Sequence, residues 1–358
     1  MDKMKAIAVF VKNLTSGGAE KQSVLLARAL AGECEVHYVI FNGLKVHQKY
    51  MDMLAGDSRI RVCSFTGGHV SRFRALVAYL RRNNIRAVFS YLTAANFYAC
   101  MAGRIVGADV YTGLRNAELP FHKLVADRLL TNRFAKLAIS NSYSGKENFV
   151  AKGFKEEKVT VVPNCFENIS PYAAKEHDKG LKIITVGRFV QQKDYETAIR
   201  AVAELKGMAA SAFSFEIVGY GEQERQIRDW VKAYKVDDCT SIHINPNNIP
   251  ELLDGADIYL STSLFEGTSN SVMEAMNANL PIVATDVGDN KYLVRDGKNG
   301  FLCDVGDSKG IAAKLKDLID NSGIRELFGK ESKDLLEKNY SMPLFKNRYM
   351  RLLTNEEI

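Results

Sequence analysis

Short apolar runs, most of them followed by a helical pattern, recur along the whole chain, and this alternation leaves few folds open. The runs read as strands are Lys5–Val11, Glu35–Phe41, Arg59–Ser64, Ala87–Ser90, Val110–Gly113, Leu137–Ser140 and Val159–Val162. A second series follows at Lys182–Val186, Ser214–Val218, Ile242–Ile244, Ile258–Leu260 and Ile282–Thr285. Strand and helix in strict succession require crossover connections, so the predicted class is α/β with doubly wound parallel sheets. A chain of 358 residues exceeds the size at which one core keeps growing, which predicts two Rossmann-like domains. In such sheets ligands bind at the carboxyl ends of the strands.

The first series closes at Val161-Val162-Pro163-Asn164, and Glu167 to Lys179 is polar and without periodicity. The expected division is therefore a domain over 1–165, a linker over 166–180, a domain over 181–340 and a terminal helix over 341–358. Charge divides at the same place. Through Cys165 there are 24 Lys and Arg against 12 Asp and Glu; beyond it there are 24 against 30. A basic first half favours anionic partners, whether nucleic acid, anionic lipid or a pyrophosphate-bearing substrate. Ser71–Arg86 concentrates this charge, with Phe73, Leu76, Val77 and Leu80 at helical spacing among Arg72, Arg74, Arg81, Arg82 and Arg86. That pattern is a core-facing helix with a solvated basic face, a patch for an anionic membrane surface, or both. Nucleic acid is disfavoured, because aromatic residues suited to base stacking are interleaved only at Phe73 and Tyr79.

Composition excludes other classes. Hydrophobic residues at 46%, charged residues at 25% and seven prolines describe a folded protein with little disorder. No apolar run reaches the roughly 18 residues of a membrane span, and Met1 to Lys5 leads straight into a strand pattern, so neither span nor signal peptide is expected. Cys34, Cys63, Cys100, Cys165, Cys239 and Cys303 stand singly among apolar neighbours, as in a reduced, cytoplasmic protein. No Asp-x-Asp pair ends a strand, so the sequence calls for no metal, and no cofactor is expected.

Glu266 to Thr285 reads EGTSNSVMEAMNANLPIVAT. It follows the apolar run Ile258–Leu260, and Gly267, Thr268, Ser269 and Asn270 suit the capped start of a helix over Ser271–Asn279. Two carboxylates, Glu266 and Glu274, flank that start. Its unpaired N–H groups and partial positive charge suit a phosphate or diphosphate. An ordinary strand–helix–strand unit with a first-turn acid has the same residues. Arg188 and Lys193, five residues apart after strand-ending Gly187, form a sensible diphosphate clamp or two surface cations. Gly17 and Gly18 lie at the first strand-to-helix turn, and Gly219 opens another Gly-rich turn, where backbone can approach a ligand. Neither is the G-x-G-x-x-G dinucleotide fingerprint. Arg115 and Asn116 follow Val110–Gly113 and so stand at a strand end.

These residues together resemble the retaining glycosyltransferases of family 4. Glu266 and Glu274 match its E-x7-E signature, with Pro281–Thr285, Gly288, Asp296-Gly297 and Asn299–Phe301 alongside. Gly187-Arg188 to Lys193 is similar to its G-R-x-x-x-x-K segment, apart from Asp194 where a glycine is usual, and Gly17–Glu20 to its first loop. The resemblance implies the GT-B arrangement: two facing Rossmann-like domains with a cleft, the first on the acceptor side, the second on the donor side, and the last helix crossing back to the first. It implies donor contacts at Gly17, Gly18, Gly219, Gly267, Thr268, Ser269, Asn270 and Glu274, and catalytic roles for Glu266, Arg188 and Lys193. Arg115 and Asn116 stand where many members have a histidine, and are acceptor-side candidates.

The implied function is transfer of a sugar from a nucleotide-sugar, expected to be a UDP-sugar, to a glycan or lipid-linked acceptor. Assembly of lipopolysaccharide or capsular polysaccharide suits it, at the inner face of the cell membrane and peripheral to it. Two rivals share the features: a nucleotide-sugar 2-epimerase, whose product keeps its nucleotide, and a non-catalytic nucleotide-sugar- or RNA-binding protein.

Overall fold

The computed structural model describes residues 6–115, 119–173, 175, 180–208 and 211–356, and it divides into two compact units. Unit 1 comprises Met1–Glu167 and Met342–Ile358; unit 2 is Asn168–Ser341. Asn116 lies outside the described residues.

Unit 1 is built on strands β1 (Ala6–Val11), β2 (Glu35–Ile40), β3 (Ile60–Ser64), β4 (Ala87–Tyr91), β5 (Asp109–Leu114), β6 (Leu137–Ser140) and β7 (Val159–Val161). Helices α1 (Gly18–Leu30), α2 (Gln48–Ala55), α3 (His69–Arg82), α4 (Thr93–Val106), α5 (Phe121–Arg133) and α6 (Tyr143–Ala151) separate them. The sheet is parallel in the order β3-β2-β1-β4-β5-β6-β7, so the direction of winding reverses between β1 and β4. Side chains of β1 divide by the period of two. Ile7, Val9 and Val11 join one core with Val24 and Leu25 of α1, whereas Ala6, Ala8 and Phe10 join another with Leu76 and Leu80 of α3 and Ala95 and Ala99 of α4. Each fully buried Leu, Ile, Val or Phe stabilises the unit by roughly 1.5–3 kcal/mol. Arg72, counted on sequence among the basic face of α3, is instead buried with its guanidinium 5.0 Å from the Phe41 ring centroid. Arg74, Arg81, Arg82 and Arg86 are exposed.

Unit 2 contains β8 (Leu181–Arg188), β9 (Phe213–Tyr220), β10 (Thr240–Ile244), β11 (Ile258–Ser261), β12 (Ile282–Thr285) and β13 (Gly300–Cys303). Its helices are α7 (Tyr195–Lys206), α8 (Glu224–Ala233), α9 (Ile249–Asp254), α10 (Asn270–Asn277), α11 (Asn290–Leu293), α12 (Ser308–Asp320) and α13 (Ser322–Tyr340). The parallel order β10-β9-β8-β11-β12-β13 reverses between β8 and β11. One core joins Ile183, Phe215, Ile217, Ile258, Leu260 and Val283 of the sheet to α7, α8 and α12. Part of the polar stretch expected to link the domains is fastened to this unit. Ser170 bonds to Asn277, and the Lys175 ammonium donates to the carbonyls of Leu253, Asp254 and Ala256 at 3.1, 3.0 and 2.5 Å. Burial pushes the Lys175 pKa down to about 8.

The last helix, α14 (Met342–Thr354), packs on α1 in unit 1. Phe345, Tyr349, Leu352 and Leu353 enter the core there, and the buried Tyr111 hydroxyl of β5 donates to the Leu352 carbonyl at 2.8 Å. Tyr111→Phe removes the donor from one of the last carbonyls of α14 and should cost about 1–3 kcal/mol. Urea unfolding checks this: the midpoint should fall at unchanged slope. An unchanged midpoint would show that packing alone holds the helix.

Candidate functional site

Where strand order reverses, the loops leaving the two central strands diverge and open a crevice at their carboxyl ends. In unit 2 these loops are the turn after Arg188, with a short 3₁₀ segment at Gln191–Lys193, and the segment from Thr262 to Ser269. They are stitched together. Leu264 N–H donates to the Gln192 carbonyl at 2.8 Å, and Gln192 Nε2 to the Phe265 carbonyl at 2.8 Å. Thr262 Oγ1 lies 3.0 and 2.9 Å from the carbonyls of Lys193 and Asp194. At the end of this ladder Lys193 Nζ meets Glu266 Oε1 at 2.5 Å, and the buried Ser263 hydroxyl donates to the same oxygen at 2.8 Å. Glu266 is itself buried, so these two partners replace the hydration its carboxylate gives up. Arg188 is exposed, and its side chain has no partner among the described residues.

The backbone explains several residues of this site. A side chain at Gly187 would stand 3.3 Å from Lys193 Cε, so the glycine lets the lysine stem lie across the strand end. Asp194, where the resemblance leads one to expect glycine, takes a left-handed φ of +44°. Its carboxylate then accepts from the Thr197 hydroxyl at 2.6 Å and caps α7, which offsets the strain. Gly288, at φ +54°, backs onto Glu266, and a Cβ there would fall 1.9 Å from the Glu266 carbonyl. At Gly219 a Cβ would fall 1.9 Å from the Gly187 carbonyl, so the glycine permits the close approach of β9 to β8.

Helix α10 starts at Asn270. Ser269 occupies the N-cap, but its hydroxyl lies 3.2 Å from that of Ser271 in the first turn and caps no backbone N–H there. Thr268 and Ser269 are buried, and Gly267, Asn270 and Glu274 half-buried. Glu274 and Glu266 share a neighbour in Tyr259, whose hydroxyl is pushed far above its usual range by burial first and then by these two carboxylates. The structure thus brings Lys193, Glu266 and Ser263 into contact. Ser263 escaped the sequence reading, since a serine three residues before a glutamate carries no signal of its own.

Unit 1 has a cavity of about 220 Å³ at its own reversal between β1 and β4, lined among others by Lys12, Glu20, Thr93, Arg115, Lys123 and Asp127. Buried Asp127 of α5 accepts from the Thr93 hydroxyl at 2.6 Å and from Asn96 Nδ2 at 3.0 Å. Burial raises its pKa, and those two hydrogen bonds oppose the shift. Sequence reasoning missed this group, an isolated acid within a helix. Gly17 is the N-cap of α1 and Gly18 its first residue; a Cβ at Gly17 would collide with the Glu20 carboxylate, 2.4 Å away. Arg115 reaches the cavity wall, but its guanidinium stacks over Tyr91, 4.4 Å from the ring centroid, and donates to the Tyr349 hydroxyl of α14 at 3.0 Å. Its geometry is that of a clamp on the last helix.

Residues 169–335 match the family model of glycosyl transferases group 1. Among curated proteins, the lipopolysaccharide core biosynthesis glycosyltransferase LpsE of Rhizobium meliloti is 24% identical over 49% of this chain and 50% of its own length. The match therefore spans about half of that relative. The N-acetylgalactosamine-N,N'-diacetylbacillosaminyl-diphospho-undecaprenol 4-alpha-N-acetylgalactosaminyltransferase of Campylobacter jejuni is 25% identical over 92% of this chain and 94% of its own. Among solved structures, Anabaena Alr3699/HepE in complex with UDP superposes with a TM-score of 0.84 at 18% identity, covering 98% of this chain and 100% of that one. That likeness establishes a shared fold of two Rossmann-like domains, the GT-B class. The group 1 match covers just under half of the chain and lies within unit 2.

Proposed function

We propose that this chain is a retaining glycosyltransferase that moves a sugar from a UDP-sugar to a glycan or lipid-linked acceptor in surface polysaccharide or lipopolysaccharide assembly. We further propose that it works at the cytoplasmic face of the membrane, peripheral to an anionic lipid surface. One observation carries the reading: Arg188, exposed and without a side-chain partner among the described residues, and the Lys193–Glu266 pair stand together at the strand reversal of the segment that matches glycosyl transferases group 1. The names of the relatives support the acceptor class, and the UDP bound to the Anabaena protein supports the donor.

The chemistry follows from charge. When the bond from the sugar carbon to the diphosphate breaks, negative charge grows on the leaving phosphate. Arg188, Lys193 and the first-turn N–H groups of α10 are fixed donors for it. Glu266 holds the sugar hydroxyls and steadies positive charge at the reacting carbon; Glu274 accepts from the ribose hydroxyls. The acceptor oxygen bonds to the carbon on the face that the phosphate leaves, and its proton passes to that phosphate, so no enzyme nucleophile is required. The cavity beside Asp127 and Lys123 is the candidate acceptor seat.

UDP release from candidate UDP-sugars, with and without acceptor, tests the reaction class. Release that depends on acceptor is expected; a product still carrying UDP would indicate an epimerase, and no turnover with intact binding a silent binder. Arg188→Ala should lower kcat on the order of 10²–10³-fold, with folding intact because the side chain is exposed and unpartnered. A change within about threefold would move the clamp elsewhere. Glu266→Gln should act mainly on kcat and Glu274→Gln mainly on donor KM. Lys193→Ala should also destabilise the unit by about 3–5 kcal/mol, since it strands a buried carboxylate. Lys193→Met with Glu266→Gln should recover stability without activity, whereas equal stability of single and double variants would contradict the pair's role.

A further inference from the structure

Helices α4 and α5 pack against each other in unit 1, and each carries an apolar stripe on its outward side. On α5 Asp127, Leu130 and Thr131 are buried. On the opposite side Phe121 is 80% exposed and Leu129 56%, with Val125 half-buried between them. Positions i, i+4 and i+8 share one face of a helix, so these three make a stripe about 12 Å long. On α4 the same spacing gives Phe97, 49% exposed, Met101, half-buried, and Ile105, 51% exposed. A single exposed apolar residue needs no explanation, but two such stripes on adjoining helices do.

Charge identifies what covers them. Arg104 of α4 and Lys123, Arg128 and Arg133 of α5 are exposed. α4 has no acid, and the one acid of α5, Asp127, is buried. A second copy docked by the same face would set these cations against themselves. An anionic bilayer accepts both components, the rings among the acyl chains and the cations at the headgroups. α3 differs: Arg74, Arg81 and Arg82 are exposed on it, yet Val70 is its one large exposed apolar residue. We infer that the outward face of α4 and α5 inserts into the headgroup region of an anionic membrane, with α3 contributing charge alone. This rests on the peripheral membrane reading above and names the surface that makes the contact.

Co-sedimentation with vesicles tests it without reference to turnover. The whole chain should pellet with phosphatidylcholine vesicles containing about one-third phosphatidylglycerol, less so as salt rises, and not with phosphatidylcholine alone. Phe121→Ser with Leu129→Ser should lower partitioning about tenfold or more, because exposed residues leave the fold intact while their insertion is lost. Arg104→Glu with Arg133→Glu should abolish the preference for phosphatidylglycerol. Both pairs should leave UDP binding unchanged, so failure here and failure of the donor site are separable. Unaltered sedimentation of the Phe121→Ser, Leu129→Ser protein would overturn the inference. So would a dimer of the parent in sedimentation equilibrium that these serines dissociate.

Discussion

The ion pair between Lys193 and Glu266 is the contact on which the candidate site of unit 2 depends. Glu266 is buried, and a buried carboxylate without compensation would cost several kcal/mol. Lys193 and the Ser263 hydroxyl supply that compensation at one oxygen, and each is held in turn by its loop. Thr262 fastens the backbone of Lys193 and Asp194, Gln192 bonds in both directions to the opposite loop, and Gly288 leaves no room behind Glu266 for anything but backbone. The result is a cation and an anion fixed before any ligand arrives, which is the arrangement that stabilises developing charge without reorganisation. Arg188 differs from its neighbour in having no side-chain partner among the described residues.

The same topology serves both units with different chemistry. Each sheet reverses between its first and fourth strands, and each reversal carries polar side chains at the strand ends. In unit 2 that set is ionic. In unit 1 it is the network of Ser90, Asn96, Thr93 and Asp127, in which Asn96 Oδ1 accepts from the Ser90 hydroxyl at 2.8 Å while its amide donates to Asp127. Burial raises the pKa of Asp127, against the lowering effect of its hydrogen bonds from Asn96 and Thr93 and of nearby Lys123. α14 completes unit 1 through the Tyr111 and Arg115 contacts, so Arg115 both lines the cavity and holds the last helix.

What could be read from the sequence follows from how local each signal is. Strands buried on both faces announce themselves as apolar runs, and twelve of the thirteen were anticipated; β13, GFLC, opens on a glycine after a polar turn and lies at the sheet edge with its two middle residues only half-buried. Glu266 and Lys193 were each legible as site residues, but their contact spans 73 positions and so was not. Arg115 was legible as a strand-end residue, while its partner Tyr349 stands 234 positions away. Asp194 shows the converse. It looked like a departure from pattern, and its left-handed backbone with the α7 cap makes it a working substitute for glycine.

Hydrogen exchange with and without UDP tests the central claim most directly, because it reports which backbone meets the nucleotide whether or not an acceptor is known. Saturating UDP should slow exchange at Gly187 to Asp194 and at Gly267 to Ser271, the two segments tied by Lys193 and Glu266, and leave β13 unchanged. Protection absent from both segments at saturating UDP, or confined to unit 1, would contradict the account.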